Sequence, residues 1–167
     1  MTIAAGFICT DGIVLGADTK ESYGEAGLTY VDKLLFDKFP NGAIGIAGSG
    51  VAYPLDYIYP RILDLFKSHS YSSLNDGEQA IAKLLVGIHA SKEFKNYPVK
   101  DDLPTQFLIA LHIAGKTSLL ISTSTLLTPL KGAKVVGAGF MQQMVTELGQ
   151  KNLTVEQASI AALYLNL

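Results

Sequence analysis

Asp11-Gly12 interrupts two nearly continuous apolar runs, Ile3 to Cys9 and Ile13 to Ala17, and leaves the start of the chain few ways to fold. An Asp-Gly pair between apolar runs marks a hairpin, because both residues tolerate the positive φ of a tight turn. The runs do not alternate apolar with polar, so both faces of the resulting sheet must be covered. Folding back at this turn sets Thr2 at the start of one buried strand and Asp18 at the end of its partner. The amino terminus then lies beside a carboxylate. Lys33 opens the next apolar run, Leu34-Leu35-Phe36, and brings a cation to the same region. Removal of Met1 would give Thr2 a hydroxyl and a free α-amine on one residue.

The rest of the chain falls into blocks. Thr19 to Asp32 is polar, holds Gly24 and Gly27, and reads as a loop. Leu34 to Asp37 and Ala43 to Ala47 read as a second hairpin joined through Phe39-Pro40-Asn41-Gly42. It runs into Gly48-Ser49-Gly50. Val51, Leu55, Ile58, Ile62, Leu65 and Phe66 recur at helical spacing, with Pro54 in the first turn and Pro60 placed to kink the helix. A second helix is expected from about Gly77 to Phe94, then a loop from Asn96 to Pro104. Gln106 to Ala114 and Thr117 to Ser124 read as strands around Gly115-Lys116. A short strand, Ala133 to Val136, ends in Gly137-Ala138-Gly139, and a third helix is expected to begin at Phe140. Thr154 with Gln157 matches a capping box that opens a fourth helix. Strands, two helices, strands, two helices: segregated blocks of this kind indicate α+β layers rather than alternating βαβ units. A length of 167 residues suits one domain, 1–167, with a sizeable core.

Composition excludes several classes. The net charge of −2 argues against a nucleic-acid partner, which needs clustered basic residues. A single cysteine, Cys9, excludes an internal disulfide and fits a reducing compartment. The start has no basic n-region, and no apolar stretch approaches the ~20 residues of a membrane helix. These features point to a cytoplasmic protein. The three histidines, at 69, 89 and 112, lack metal-ligand spacing and read as structural. The tyrosines of the first helix, Tyr53, Tyr57 and Tyr59, read as packing or subunit contacts.

The chemistry collects around Thr2. Taken singly, a threonine after Met1 is an ordinary residue, Asp18 a strand-end carboxylate and Lys33 a surface lysine paired with Asp32 or Asp37. Together they make a different case. An exposed α-amine, with an ordinary pKa of about 7.7–8.0, can serve as base for the hydroxyl of its own threonine. Asp18 and Lys33 would satisfy each other's charge, and a cation beside the hydroxyl would favour the alkoxide and keep the amine neutral. The Gly48 corner has a backbone N–H able to stabilise an oxyanion, or is simply a turn that needs glycine. It fits neither the dinucleotide fingerprint nor the P-loop.

Thr2 to Asp18 with Asp11-Gly12-Ile13-Val14-Leu15-Gly16-Ala17-Asp18, then Lys33, Gly45-Ile46-Ala47-Gly48-Ser49-Gly50 and Val135-Val136-Gly137-Ala138-Gly139-Phe140, resembles a proteasome β-type subunit. The chain is also similar to the bacterial peptidase that works with an ATP-dependent unfoldase ring. Both are N-terminal-nucleophile hydrolases. The resemblance implies a four-layer αββα sandwich assembled into stacked hexameric or heptameric homo-oligomeric rings, with a possible ATPase partner. It implies Thr2 as nucleophile, Asp18 and Lys33 as its supporting pair and Gly48 as the oxyanion-hole amide. Ser22 falls where the family binds substrate backbone, and Ile46 where it lines the pocket for the side chain before the cut bond. Ala138 stands where the family often has serine. Two closing strands of the sandwich, and an Asp and a Ser beyond the fourth helix, have no counterpart in this sequence.

The expected function is therefore a threonine endopeptidase needing no metal or organic cofactor. The rival expectations are a catalytically inactive ring-forming scaffold of the same fold, or a small-molecule amidase.

Overall fold

The structure, a computed structural model, describes residues 3–22, 28–30, 32–50, 52–95, 106–123, 125–137 and 141–164. Among the described residues ten strands and five helices follow in order: β1 Ala4–Ile8, β2 Ile13–Ala17, β3 Lys20–Ser22, β4 Leu28–Tyr30, β5 Leu34–Phe39, β6 Gly42–Ser49, α1 Ala52–Ser68, α2 Leu74–Ala90, α3 Lys92–Lys95, β7 Gln106–Ile113, β8 Lys116–Thr123, β9 Leu126–Pro129, β10 Ala133–Val136, α4 Gln142–Gly149 and α5 Val155–Tyr164. They make an antiparallel three-stranded sheet β10-β1-β2, an antiparallel five-stranded sheet β5-β6-β7-β8-β9, and a separate β3-β4 pair. The α+β arrangement follows the order of the sequence blocks.

Packing follows from which face of each element is apolar. Leu55, Ile58, Tyr59, Ile62 and Phe66 of α1 and Ile81, Leu85 and Ile88 of α2 join Ile44, Ile46, Phe107, Ile109 and Leu111 of the large sheet in one buried cluster. Gly77 lets α2 approach closely: a Cβ there would lie 2.5 Å from Ile113 Cδ1. The small sheet buries Ala5, Phe7 and Val135 against Val145 of α4 and Ala158 and Ala162 of α5. Its opposite face sets Ala4 and Val136 against Ala47 and Leu108, so the two sheets meet through small and branched side chains. β1 is therefore buried on both sides, as its unbroken apolar run requires.

Several details differ from the sequence reading. The first turn is Thr10-Asp11, closed by Cys9 N–H donating to Gly12 O at 2.8 Å, and neither Asp11 nor Gly12 has positive φ. The turn is shaped by α5 instead. Thr10 N–H donates to Leu153 O at 3.0 Å, and the Asp11 carboxylate accepts from Val155 N–H at 2.8 Å. Asp11 thus satisfies a first-turn donor of a helix far along the chain. Glycine at 12 makes room, since a Cβ would sit 3.0 Å from Val155 Cγ2. The segment 19–32 holds the paired strands β3 and β4, whose polar sequence carries no apolar alternation to betray them. β9 is a further addition to the sequence reading, a four-residue edge strand ending in Pro129, where a missing N–H costs little.

α1 continues past Pro60 to Ser68. α2 begins earlier than Gly77, capped by Ser73, whose hydroxyl accepts from Asp76 N–H at 3.2 Å; hydroxyls of Ser73 and Ser72 hold the Asp76 carboxyl below its ordinary pKa. The helix stops at Ala90, and α3 follows as a separate turn. The capping box at α5 forms in both directions, Thr154 N–H to Gln157 Oε1 at 3.1 Å and Gln157 N–H to Thr154 Oγ1 at 3.3 Å. The loop 96–104, Ala138 and the helix start at Phe140 lie outside the described residues.

Candidate active site

The β1-β2 ladder places the end of β2. Bonded and non-bonded pairs alternate in an antiparallel ladder. Cys9 pairs with Gly12, and Asp18 N–H donates to Ile3 O at 3.0 Å. Asp18 therefore turns its main chain toward β1, and Ile3 is fixed beside it. Thr2, the residue before Ile3, lies outside the described residues.

The Asp18 carboxylate meets Lys33. Lys33 Nζ donates to Asp18 Oδ1 at 2.9 Å, with side chains 5% and 15% exposed. A strand end in the small sheet is thus joined to the residue that precedes β5 in the large sheet. Burial at this level makes the pair mutually dependent, because a buried charge deprived of its partner costs several kcal/mol. The surface-lysine alternative is excluded by geometry: Lys33 is buried, and Asp37 pairs instead with Lys67 of α1 at 2.9 Å.

Gly48 sits one register step beyond the end of β5. β6 pairs Ala47 with Leu34 on one side and Gly48 with Phe107 on the other. Ala114 N–H donates to Asn41 O at 3.1 Å, which fixes the parity of the β6-β7 ladder. Residues 43, 45, 47 and 49 bond to β7, and Gly48 turns its N–H and C=O toward the Lys33 side. Gly48 is a strand residue rather than the turn; the positive φ belongs to Gly50, at 128°. Glycine is needed at 48 for another reason. A Cβ would lie 2.3 Å from Tyr59 Oη and 2.6 Å from Leu55 Cδ2.

Tyr59, read from sequence as packing, reaches the same place. Its hydroxyl donates to Lys33 O at 3.4 Å, and its ring stands edge-on to Phe107 at 5.5 Å. Burial, and after it the charge of Asp56, push its pKa well above the ordinary tyrosine value, so the hydroxyl stays protonated. The available signal in the sequence was a tyrosine within a stripe of Leu55, Ile58 and Ile62, where a buried hydroxyl must find an acceptor.

The remaining candidates separate. Ser22 ends β3, paired in register with Leu28; its side chain lies outside the described residues. Ile46 is fully buried in the cluster with α1 and α2, so its side chain offers no surface to a ligand in this state. His69 follows α1, His89 lies in α2 edge-on to Phe94, and His112 lies in β7. Among the described residues no three His, Cys, Asp or Glu side chains gather as a metal site. An apolar groove between β2 and β5–β7, walled by Ile13, Leu15, Leu34, Phe36 and Leu111, contains neither Asp18 nor Lys33. No described helix is long and apolar enough to cross a membrane.

The sequence matches no family model and no curated protein. The fold does match solved structures. An Anbu (Gly-1) mutant from Hyphomicrobium sp. strain MC1 superposes with TM-score 0.79 at 14% identity, covering 99% of this chain and 73% of that one. Anbu (ancestral beta-subunit) from Yersinia bercovieri gives TM-score 0.74 at 11% identity, over 98% of this chain and 72% of the other. Eukaryotic HslV from Trypanosoma brucei gives TM-score 0.66 at 13% identity, over 99% and 90%. The chain therefore shares the fold of these Anbu and HslV structures.

Proposed function

We propose that this chain is an N-terminal-threonine hydrolase of the proteasome type, cutting peptide bonds by acyl transfer to Thr2 after removal of Met1. One observation carries the reading. A buried Lys33 ammonium bonded to Asp18 lies at the strand end where Asp18 N–H holds Ile3, the residue that follows Thr2 in sequence.

In this reading the Thr2 amine takes the proton of its own hydroxyl as the oxygen attacks the carbonyl. Lys33 lowers the cost of the developing alkoxide, and Asp18 holds Lys33 in place. The Gly48 amide would donate to the oxyanion. The protonated amine then gives its proton to the leaving amine, and water hydrolyses the ester. Ser22 would contact substrate backbone. Ile46 would act only as the floor beneath the side-chain pocket. The four-layer αββα order belongs to the same proposal and is supported by the three clusters, helix on sheet, sheet on sheet and sheet on helix. Assembly into a homo-oligomer is supported by apolar side chains left exposed on α4 and α5, among them Met144, Ile160, Leu163 and Tyr164. The protein would work in the cytoplasm, with a ring and an ATPase partner as in the family it resembles.

The test is hydrolysis of fluorogenic, N-blocked peptides by the purified chain. Cleavage retained in Thr2→Ser but abolished in Thr2→Ala is expected. Cleavage unaffected by Thr2→Ala would assign the activity elsewhere.

A further inference from the structure

We propose that the apolar groove between β2 and β5–β7 is a binding site for a small amphiphilic carboxylate, of the form of a medium-chain fatty acid. Cross-strand partners share one face of a sheet. Lys38, Ala43, His112 and Thr117 make one such row across the large sheet. Phe36, Gly45, Ala110 and Leu119 make the next, and Leu34, Ala47 and Leu108 the one after. These rows face the small sheet, whose last strand on this side is β2 among the described residues. Leu15 of β2 lies over Gly45, its Cδ1 3.1 Å from where a Cβ would stand. Beyond it β5 is left uncovered, with Leu34 41% and Phe36 63% exposed.

Gly45 and Ala110 give the floor almost no side chain. The result is a hollow of about 330 Å³, bounded by Ile13 and Leu15 on one side and by Leu34 and Phe36 on the other. Small-molecule sites of about 300–1,000 Å³ share this character, apolar walls with a few polar groups that fix orientation. Here the polar groups lie at one end. His112 and Thr117 line the groove there, the exposed Lys38 stands at the rim in the same row, and none of the described lining residues is acidic. A cation and two hydrogen-bonding side chains at the mouth of an apolar hollow complement a carboxylate on an apolar chain. Lys38 and Leu34 are four residues apart on β5, about 13 Å at the strand rise, which a chain of about ten carbons spans. The size argues against a second copy as occupant. Eleven described residues line the groove, where a stable protein interface takes about 20–30 a side.

Neither Asp18 nor Lys33 lines the groove, so the proposal and its test are independent of the Thr2 chemistry. The experiment titrates the full chain with decanoate, below its micelle concentration, by calorimetry and 15N NMR. One equivalent is expected to bind and to shift the amides of Gly45, Ala110 and His112. Decyltrimethylammonium, the same chain with the opposite charge, is expected to bind at least about fivefold more weakly. Lys38→Gln should weaken decanoate about fivefold, as loss of an exposed charge pair does. Lys83→Gln, exposed on α2 behind the large sheet, should leave it unchanged. Gly45→Ala puts a methyl into the hollow; displacing about two methylenes should weaken decanoate about tenfold. Should that variant not fold, Ala43→Leu at the half-buried end of the groove is expected to do the same. No saturable shift at these amides, equal binding of the two amphiphiles, or equal loss in Lys38→Gln and Lys83→Gln would overturn the proposal. So would shifts of the same amides that follow protein concentration and not decanoate, which would assign the groove to a second copy.

Discussion

Gly48→Ala offers a sharp test of how the candidate site is packed. The new methyl would lie 2.3 Å from Tyr59 Oη, 2.6 Å from Leu55 Cδ2 and 3.3 Å from the Gln106 carbonyl. Comfortable heavy-atom contacts lie near 3.5–4.0 Å, so the first two are short by about 1 Å. Leu55 presents the end of a flexible side chain and can turn aside. Tyr59 cannot, because its ring is held by Phe107 and its hydroxyl by Lys33. Overpacking of this kind costs about 1–3 kcal/mol. At about 2 kcal/mol, a chain of this size should lose roughly 4–8 °C in Tm. The decisive comparison is the double variant Gly48→Ala with Tyr59→Phe. Deleting the hydroxyl removes the nearest colliding atom, so the double variant should be less destabilised than the sum of the singles by at least about 0.5 kcal/mol. Thermal and urea unfolding of the four proteins measure the cycle. An unchanged Tm for Gly48→Ala, or strict additivity, would refute the packing argument.

Other perturbations probe separate parts. Asp18→Ala strips Lys33 of its carboxylate and, with the pair partly open to solvent, should lower unfolding free energy by about 2–4 kcal/mol in urea titration; a loss under about 0.5 kcal/mol would contradict its burial. Tyr59, its pKa raised, keeps its proton in the fold while the unfolded chain releases one above the ordinary value of 10.0, so stability must fall as pH rises past that point. Tyr59→Phe should flatten this alkaline limb, leaving a smaller one from Tyr71, whose pKa burial also raises; an unaltered limb would count against burial of Tyr59. Burial, and then the charge of Asp11, raise the Cys9 thiol, so iodoacetamide at pH 8 should alkylate the native protein more slowly than the unfolded chain; equal rates would refute that environment.

Much of the architecture could be read before the structure because its signals are local. Helical spacing of Leu55, Ile58, Ile62 and Phe66 marked the face of α1 that packs on the sheet, and Thr154 with Gln157 marked the start of α5. The unbroken apolar run of β1 announced cover on both faces. What escaped depends on contacts distant in sequence. Asp11-Gly12 looks like a turn with positive φ. Its residues instead answer to Val155, one as a hydrogen-bond acceptor and the other by making room. β3 and β4 pair through their backbones, which hydropathy does not register. At the candidate site, Asp18 and Lys33 could be anticipated because buried opposite charges need each other. Tyr59 could not, since nothing in a helical stripe says which hydroxyl will reach a carbonyl in another element.

The central claim is that Thr2 is the nucleophile, and intact mass tests it most directly. The purified chain is weighed with and without a β-lactone that acylates N-terminal threonines. The account predicts a mass lacking Met1 and one covalent adduct, absent from Thr2→Ala and mapped to residue 2 by fragmentation. A chain that keeps Met1, or a trimmed chain that takes no adduct, contradicts it and leaves the fold without this chemistry.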